Sequence, residues 1–168
     1  MKNILVIGGG FAGVWSALGA VRTARENGTD PADIQVTLVS SGDDLVIRPR
    51  LYEAAPESMR VSLDRVLGPV GVRRVAATVT SIDTEARSVV ALGRDAREIV
   101  LPYDRLVLAA GSQVVRPELR GAEHLFDVDT MGAAARLDNH LRRAAEQQPF
   151  EGQFTPWWWS EQASPASK

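Results

Sequence analysis

Six residues near the start of the chain have the types and spacing needed to hold a phosphate group. They are Gly8-Gly9-Gly10-Phe11-Ala12-Gly13, which match the pattern G-x-G-x-x-G. The first glycine of this pattern permits a tight turn, the second lets a pyrophosphate approach the backbone, and the third lets a helix pack closely on a strand. If a helix begins here, its first N–H groups and the positive end of its dipole face the phosphates. The motif therefore predicts a dinucleotide site; the alternative is a glycine-rich turn that binds no ligand.

The ribose partner that usually accompanies this motif is missing. An acidic residue is expected about 20 residues after the glycines, at the end of the second strand, where it binds a ribose hydroxyl. Ser40 occupies that place. A serine hydroxyl can also hydrogen-bond to ribose, and Asp43 or Asp44 either reaches back to the ribose or caps the loop. The sequence leaves these two roles for the acids open.

Few other side chains could carry chemistry. The chain contains no cysteine, which excludes a disulfide, a thiol nucleophile and a thiolate metal site. Its two histidines, His124 and His140, have no spaced partner of the kind that metal sites use, and we expect both at the surface. We therefore predict no metal site and no catalytic side chain. Redox chemistry in such a chain must come from a bound cofactor.

The segments around the glycines predict the elements that would position them. Ile4 to Ile7 is a short β-branched run typical of a buried parallel strand. Phe11 to about Arg25 has helical apolar spacing that includes Trp15. Ile34 to Val39 predicts a second strand. Together these segments predict a β-α-β unit with a right-handed crossover.

The segments downstream predict a smaller antiparallel unit and a return to the main sheet. Short helices are expected from Arg50 to Ala55 and from Ser62 to Leu67. Leu106 to Ala110 should rejoin the main sheet, and Met131 to about Gln148 should form an amphipathic surface helix. Three antiparallel strands are predicted at Val75 to Ile82, Ser88 to Leu92 and Glu98 to Leu101. The predicted fold class is α/β, a Rossmann-like domain with a parallel sheet and an inserted antiparallel β-meander.

Composition excludes several classes of partner. The chain has 168 residues, of which 24% are charged, and a net charge of −2, so no basic excess draws it to nucleic acid. The uncharged stretch from Asn3 to Val21 has the length of a membrane span. Its consecutive glycines, each costing about 1 kcal/mol in a helix relative to alanine, argue against a span or a signal peptide. We expect a cytoplasmic protein with no transmembrane segment; a membrane-tethered interaction protein would require this stretch to enter lipid.

Four segments of the chain resemble one protein family. They are Ile4 to Gly13, Arg48 to Glu53, Ala77 to Asp83 and Tyr103 to Ser112. From Met1 to about Thr155 the sequence resembles the flavoprotein pyridine-nucleotide oxidoreductases with two dinucleotide-binding domains, and type II NADH dehydrogenases most of all. Ala109-Ala110-Gly111 is similar to the second glycine signature of that family, usually Ala-Thr-Gly. The glutamate usual at the end of the second strand is replaced by Ser40.

The resemblance implies a Rossmann-like FAD-binding domain, in which the first glycine motif holds FAD and NAD(P)H is the electron donor. It implies hydride transfer from nicotinamide to flavin, a quinone or similar small molecule as electron acceptor, and peripheral membrane contact in full-length members. The FAD contacts that it implies are Gly8, Gly10, Phe11, Ala12, Gly13, Ser40, Arg48, Pro49, Val79, Ala110 and Gly111. The alternative function is a stand-alone module that binds FAD or an ADP nucleotide without catalysis.

The end of the chain departs from the family. Full-length members continue into a second dinucleotide-binding domain and a returning strand, so we expect residues 1–155 to be an incomplete FAD/NAD(P)-binding domain. Leu106 to Ala110 is then expected to be an exposed sheet edge prone to association.

The last residues suggest a shift of the reading frame. Tryptophan has the single codon TGG, and shifting the frame of Trp157-Trp158-Trp159 yields valine codons. We therefore interpret residues 156–168 as a disordered, frameshifted tail. The alternative is an aromatic patch for a membrane interface or ligand stacking.

Overall fold

The glycine motif joins the first strand to the first helix. A computed structural model describes residues 1–115 and 118–147 of the chain, and the expected tail at 156–168 lies outside them. Strand β1 (Lys2–Ile7), helix α1 (Phe11–Glu26) and strand β2 (Ile34–Ser40) follow one another as predicted. β1 and β2 pair in parallel along their whole common length, which confirms the β-α-β unit.

The remaining elements complete one large sheet and one small one. After β2 come β3 (Asp44–Val46), β4 (Arg60–Ser62), α2 (Leu63–Leu67), β5 (Arg73–Asp83), β6 (Ser88–Gly93), β7 (Glu98–Pro102), β8 (Arg105–Leu108) and α3 (Met131–Gln147). Within the described ranges, the main sheet has six strands in the order β7-β6-β5-β2-β1-β8, and β3 pairs with β4 in a separate antiparallel ribbon. The predicted α/β class, with a mostly parallel sheet and an antiparallel meander, is confirmed.

Strand β5 belongs to both parts of the main sheet. Arg73 to Ala76 pair in parallel with the end of β2, whereas Ala77 to Asp83 face the antiparallel neighbour β6. The register shifts between Val79 and Ser81, where a bulge bends the strand. The first strand of the predicted meander therefore also extends the parallel sheet.

Apolar residues on the two faces of the sheet form two core clusters. Because side chains alternate along a strand, Val6 and Leu38 face one side, where they meet Val14 and Ala17 of α1 and Leu63 of α2. The opposite cluster consists of Leu5, Ile7, Val39, Ala77, Val89, Ala91 and Leu101. Burying one such Val or Leu side chain contributes about 1.5–3 kcal/mol. These clusters hold the strand ends around the glycine motif in a fixed arrangement.

One local prediction is wrong and one apolar residue of a correctly predicted helix is exposed, each for a physical reason. Residues 51–55 form turns rather than a helix, and a 3-10 turn at Arg48–Arg50 precedes them. Pro56 disfavours the helical region for the residue before it, and Ala55 adopts a left-handed conformation with φ 55°. Trp15, included in the apolar stripe of α1, is 68% exposed, because the buried face of the helix is supplied by its smaller neighbours.

Strand β8 lies at an edge of the main sheet. Among the residues that the structure describes, it pairs with β1 alone. Leu108 is 64% exposed there. The sheet edge expected from the sequence is therefore present, although the strand ends at Leu108 and not at Ala110.

Candidate nucleotide-binding site

A cleft of about 410 Å³ opens at the carboxyl ends of the parallel strands. The glycine turn after β1, together with β2, β5 and β8, borders it. β1 lies between β2, which follows it through α1, and β8, which the chain reaches from β7 at the opposite edge of the sheet. In open α/β sheets ligands bind in such crevices, where the strand order reverses. Four residues singled out in the sequence line the cleft, namely Gly8, Ser40, Val79 and Ala110.

Close backbone contacts require two glycines of the motif. Gly8 has φ +115°, and a Cβ on it would lie 2.0 Å from the carbonyl oxygen of Ala109, just after β8. A Cβ on Gly13 would lie 1.9 Å from the carbonyl oxygen of Gly8. Real Cβ atoms essentially never approach another atom within 3.0 Å. These two glycines therefore let the turn, the helix and the end of β8 meet beside the cleft.

Gly10 has a different environment, because it faces open space. A Cβ added to it would meet no atom within 4 Å. Gly10 is the N-cap of α1, and the first hydrogen bond within the helix runs from the N–H of Val14 to the carbonyl of Gly10. The N–H groups of Phe11, Ala12 and Gly13 precede that bond and point out of the helix end. With no acidic side chain in its first turn, the helix presents a site suited to an anion.

Ser40 lies against the glycine turn at the end of β2. A Cβ on Gly9 would lie 2.5 Å from the Ser40 hydroxyl oxygen, so this hydroxyl sits directly beside the turn. Ser41 also lines the cleft. Serine hydroxyls here can bond to a ribose without the negative charge that an acidic residue would bring.

The two acidic residues that follow β2 are engaged elsewhere. Asp43 forms ion pairs with Arg94 and Arg74, and Asp44 pairs with Arg60 at 3.4 Å. The hydrogen bond from Arg94, and next the one from Arg74, holds the pKa of Asp43 below its ordinary value. Neither carboxylate lines the cleft. Of the two roles that the sequence leaves open for these acids, the structure favours holding the loop over binding a ribose.

Arg48 and Pro49 lie in the 3-10 turn after β3 and do not line the cleft. The Arg48 guanidinium pairs with the Asp129 carboxylate and donates to the carbonyl oxygens of Asp129 at 3.1 Å and Ser112 at 3.5 Å. Gly111, with φ +84°, connects Ser112 to the cleft residue before it. Arg48 therefore contacts the backbone directly after the second glycine signature, two residues beyond the cleft residue Ala110.

Sequence reasoning does not identify most of the apolar part of the cleft. Its remaining lining residues are Ile7, Gly9, Val39, Ser41, Ala77, Thr78 and Leu108. Most of them stand at or beside the carboxyl end of a parallel strand, and that position is the signal that could have identified them. Phe11, at the first turn of α1, is 42% exposed.

The histidines do not line the cleft. His124 ends a 3-10 turn, and the ring of His140 on α3 lies 4.7 Å from the ring of Phe126 between centroids. Within residues 1–115 and 118–147, no three acidic or histidine side chains are grouped so that they could hold a metal ion. A helix long and apolar enough to cross a membrane is likewise not found in these ranges.

The sequence matches known proteins over most of its length. Residues 2–148 match the family described as Pyridine nucleotide-disulphide oxidoreductase. An NADH dehydrogenase-like protein of Mycobacterium tuberculosis is 46% identical over 146 residues, which are 86% of this chain and 36% of that protein. A demethylphylloquinone reductase of Synechocystis is 32% identical, over 83% of this chain and 35% of the relative. The chain thus spans about a third of the length of these curated relatives.

Solved structures share the fold. The sulfide:quinone oxidoreductase of Aquifex aeolicus superposes with a TM-score of 0.68 at 24% sequence identity, covering 89% of this chain and 33% of that enzyme. At this identity the likeness shows the arrangement of strands and helices alone. Because the family match extends over nearly all of the described residues, this chain belongs to the pyridine nucleotide-disulphide oxidoreductase family.

Proposed function

We propose that this chain is the FAD-binding part of an NAD(P)H-dependent flavoprotein oxidoreductase. The observation that supports this most is the environment of Gly10, where the N-terminus of α1 presents free N–H groups beside an open Cβ position. A dinucleotide pyrophosphate has the charge and shape to use that space. Family membership favours FAD among the cofactors that carry this group.

The proposed contacts follow from the positions of the residues. The N–H groups of Phe11, Ala12 and Gly13 would bind the pyrophosphate, with Gly8 and Gly10 leaving room for it. The Ser40 hydroxyl would bond to the adenosine ribose. Val79 would border the adenine, whereas Ala110 and Gly111, with Arg48 and Pro49 nearby, would border the flavin. The arrangement suits a dinucleotide, because the carboxylates of Asp43 and Asp44 do not line the cleft and do not oppose the phosphates there.

The side chains available suit a protein that binds a redox cofactor and does not carry out the redox chemistry itself. Bound FAD would supply the redox chemistry by accepting a hydride from a nicotinamide and passing electrons to an acceptor. The residues of this chain bind and orient the cofactor. A sequence without cysteine and a cleft lined by backbone, serine, threonine and apolar groups suit that role.

We propose NAD(P)H as the donor and a quinone or similar small molecule as the acceptor. The relatives support this, since one is an NADH dehydrogenase-like protein and another is a demethylphylloquinone reductase. A lipid-soluble quinone would bring a full-length protein to the membrane surface by peripheral contact, and a soluble nicotinamide donor would keep the reaction cytoplasmic. Because this chain spans about a third of those relatives, turnover is proposed for a full-length protein and FAD binding for the chain itself.

Cofactor binding by matched glycine variants tests the proposal. FAD is titrated into the purified chain by calorimetry, with Gly10→Ala and Gly19→Ala as a pair. A Cβ at either position meets no protein atom within 4 Å, but only the one at Gly10 enters the space assigned to the pyrophosphate. We expect FAD binding by the wild type and Gly19→Ala, and weak or no binding by Gly10→Ala. A wild-type chain that binds neither FAD nor ADP would overturn the proposal, and wild-type affinity in Gly10→Ala would overturn the assigned site.

A second candidate function is a module that binds FAD or an ADP nucleotide without catalysis. It is favoured by the presence of one glycine cradle at the start of a helix within the described part of the chain, since hydride transfer needs a second nucleotide next to the flavin. Adding NADH to a FAD-loaded full-length protein separates the candidates, because turnover is proposed for that protein and not for this chain alone. Bleaching of the flavin absorbance favours the oxidoreductase, whereas binding without bleaching favours the module.

A further inference from the structure

Arg48 joins segments of the chain that are far apart in sequence. Its Nε donates to the carbonyl oxygen of Asp129 at 3.1 Å, its Nη1 donates to the carbonyl oxygen of Ser112 at 3.5 Å, and its Nη2 donates to the Asp129 carboxylate. All three guanidinium nitrogens are thus engaged with protein oxygens. The Arg48 side chain is 41% exposed and that of Asp129 is 21% exposed, so the pair is partly withdrawn from solvent.

The partners of Arg48 lie near the two ends of the segment that connects β8 to α3. Ser112 comes directly after the second glycine signature, whose Ala110 lines the cleft. Asp129 precedes Thr130, whose hydroxyl accepts a backbone N–H at 3.2 Å and caps the start of α3. The Arg48 side chain therefore connects both ends of this segment to the 3-10 turn after β3.

We infer that Arg48 is a positioning residue for the nucleotide site, acting through a clamp that consists of Arg48, Ser112 and Asp129. The clamp holds the second glycine signature at the border of the cleft before a ligand arrives. A loop that is already ordered loses less conformational entropy on binding, so the ligand binds more tightly. The inference rests on the proposed function, because it concerns the same FAD site.

Direct binding of a cofactor phosphate by Arg48 is the alternative role. A free guanidinium offers two parallel N–H groups that suit a phosphate. In this fold, a move of Arg48 to a phosphate would break its bonds to Asp129 and leave a partly buried carboxylate unpaired, which costs free energy. The two roles make opposite predictions for Asp129, because only the clamp needs its carboxylate.

A double-mutant cycle on the full chain distinguishes these roles. Arg48→Ala, Asp129→Ala and the double variant are compared with Arg50→Ala, which removes the neighbouring arginine that pairs with Glu53 at 2.7 Å. FAD affinity is measured by fluorescence quenching, and the orientation of bound flavin by visible circular dichroism. We expect each single variant to weaken FAD binding about tenfold, as for loss of a charged hydrogen bond, and the double variant to be no weaker than either single one. Arg48→Lys should recover part of the flavin dichroism, and Arg50→Ala should behave as the wild type.

A second measurement does not depend on the cofactor. Chymotrypsin can cut after Phe126, which lies between the two ends of the clamp and is 45% exposed. The clamp predicts faster cleavage there in ligand-free Arg48→Ala and Asp129→Ala than in wild type and Arg50→Ala. The cleavage rate therefore reports the order of the loop even without bound FAD.

The outcomes separate the clamp from the proposed function. Weaker FAD binding in Arg48→Ala with unchanged binding in Asp129→Ala would overturn the clamp in favour of direct phosphate contact. Unchanged FAD binding in both single variants, or equal cleavage after Phe126 in all variants, would also overturn it. If the wild-type chain binds no FAD, the proposed function fails, and the cleavage rates alone decide whether the clamp exists.

Discussion

Replacement of Gly13 by alanine is expected to destabilise the fold, although alanine is the better helix former. Within α1 the substitution gains about 1 kcal/mol from helix propensity. The new Cβ would lie 1.9 Å from the carbonyl oxygen of Gly8, whereas ordinary van der Waals contact begins at 3.4 Å. The obstacle is backbone, so no change of side-chain rotamer can remove the clash.

The clash at Gly13 decides the sign of the change in stability. Overpacking a close-packed position costs about 1–3 kcal/mol and occasionally more, and a fixed backbone neighbour places this site at the upper end of that range. After subtraction of the helix gain, we expect the free energy of unfolding to fall by about 2 kcal/mol. For a chain of this length the change lowers Tm by about 4–8 °C.

Urea unfolding followed by circular dichroism measures this loss, with Gly19→Ala as the matched control. Gly19 lies in the same helix, and a Cβ there meets nothing within 4 Å. That variant should gain up to about 1 kcal/mol from helix propensity. A Gly13→Ala protein as stable as Gly19→Ala would refute the close contact between helix and turn on which the geometry of the cleft depends.

Single substitutions at the ribose end, the loop and the sheet edge test three other features. Ser40→Ala should weaken FAD binding about fivefold in calorimetry, since one hydrogen bond contributes about 1 kcal/mol; unchanged affinity would remove Ser40 from the site. Arg94 and then Arg74 lower the pKa of Asp43, so its ion pairs stabilise the fold above a pH of about 4 and are lost as the pH falls below it. Urea unfolding between neutral and acidic pH should therefore lose stability less steeply in Asp43→Asn than in the wild type, and equal slopes would contradict this assignment. Leu108→Lys should reduce association in light scattering, because Leu108 is 64% exposed on the edge strand β8; undiminished association would assign it to another surface.

The amino-acid sequence by itself determined the glycine turn and the strands and helix around it. β1, the glycine turn and α1 could be predicted because their requirements are local: β-branched runs favour strands, and glycine is needed where backbones touch. Gly8 and Ser40 accordingly stand at the carboxyl ends of β1 and β2, and Gly13 lies in the first turn of α1, as the motif predicts. The open position at Gly10 agrees with the role that the motif assigns to its second glycine.

Only the tertiary structure decided which side chains meet across long stretches of sequence. Arg48 lies 81 residues from Asp129 and 64 from Ser112, and no periodicity connects them. Asp43 has its arginine partners 31 and 51 residues away. The sequence could therefore leave two roles for this acid open, while its environment in the fold favours one of them.

Strand β5 shows the same distinction at the level of the backbone. Its residues predict a strand, but not that the first part pairs with β2 and the rest with β6. Strand formation depends on residues within one segment, whereas pairing depends on which loops close and on the entropy that closure costs. For that reason the glycine turn could be predicted from a few adjacent residues, while the contacts of Arg48 with Ser112 and Asp129 exist only once the chain has folded.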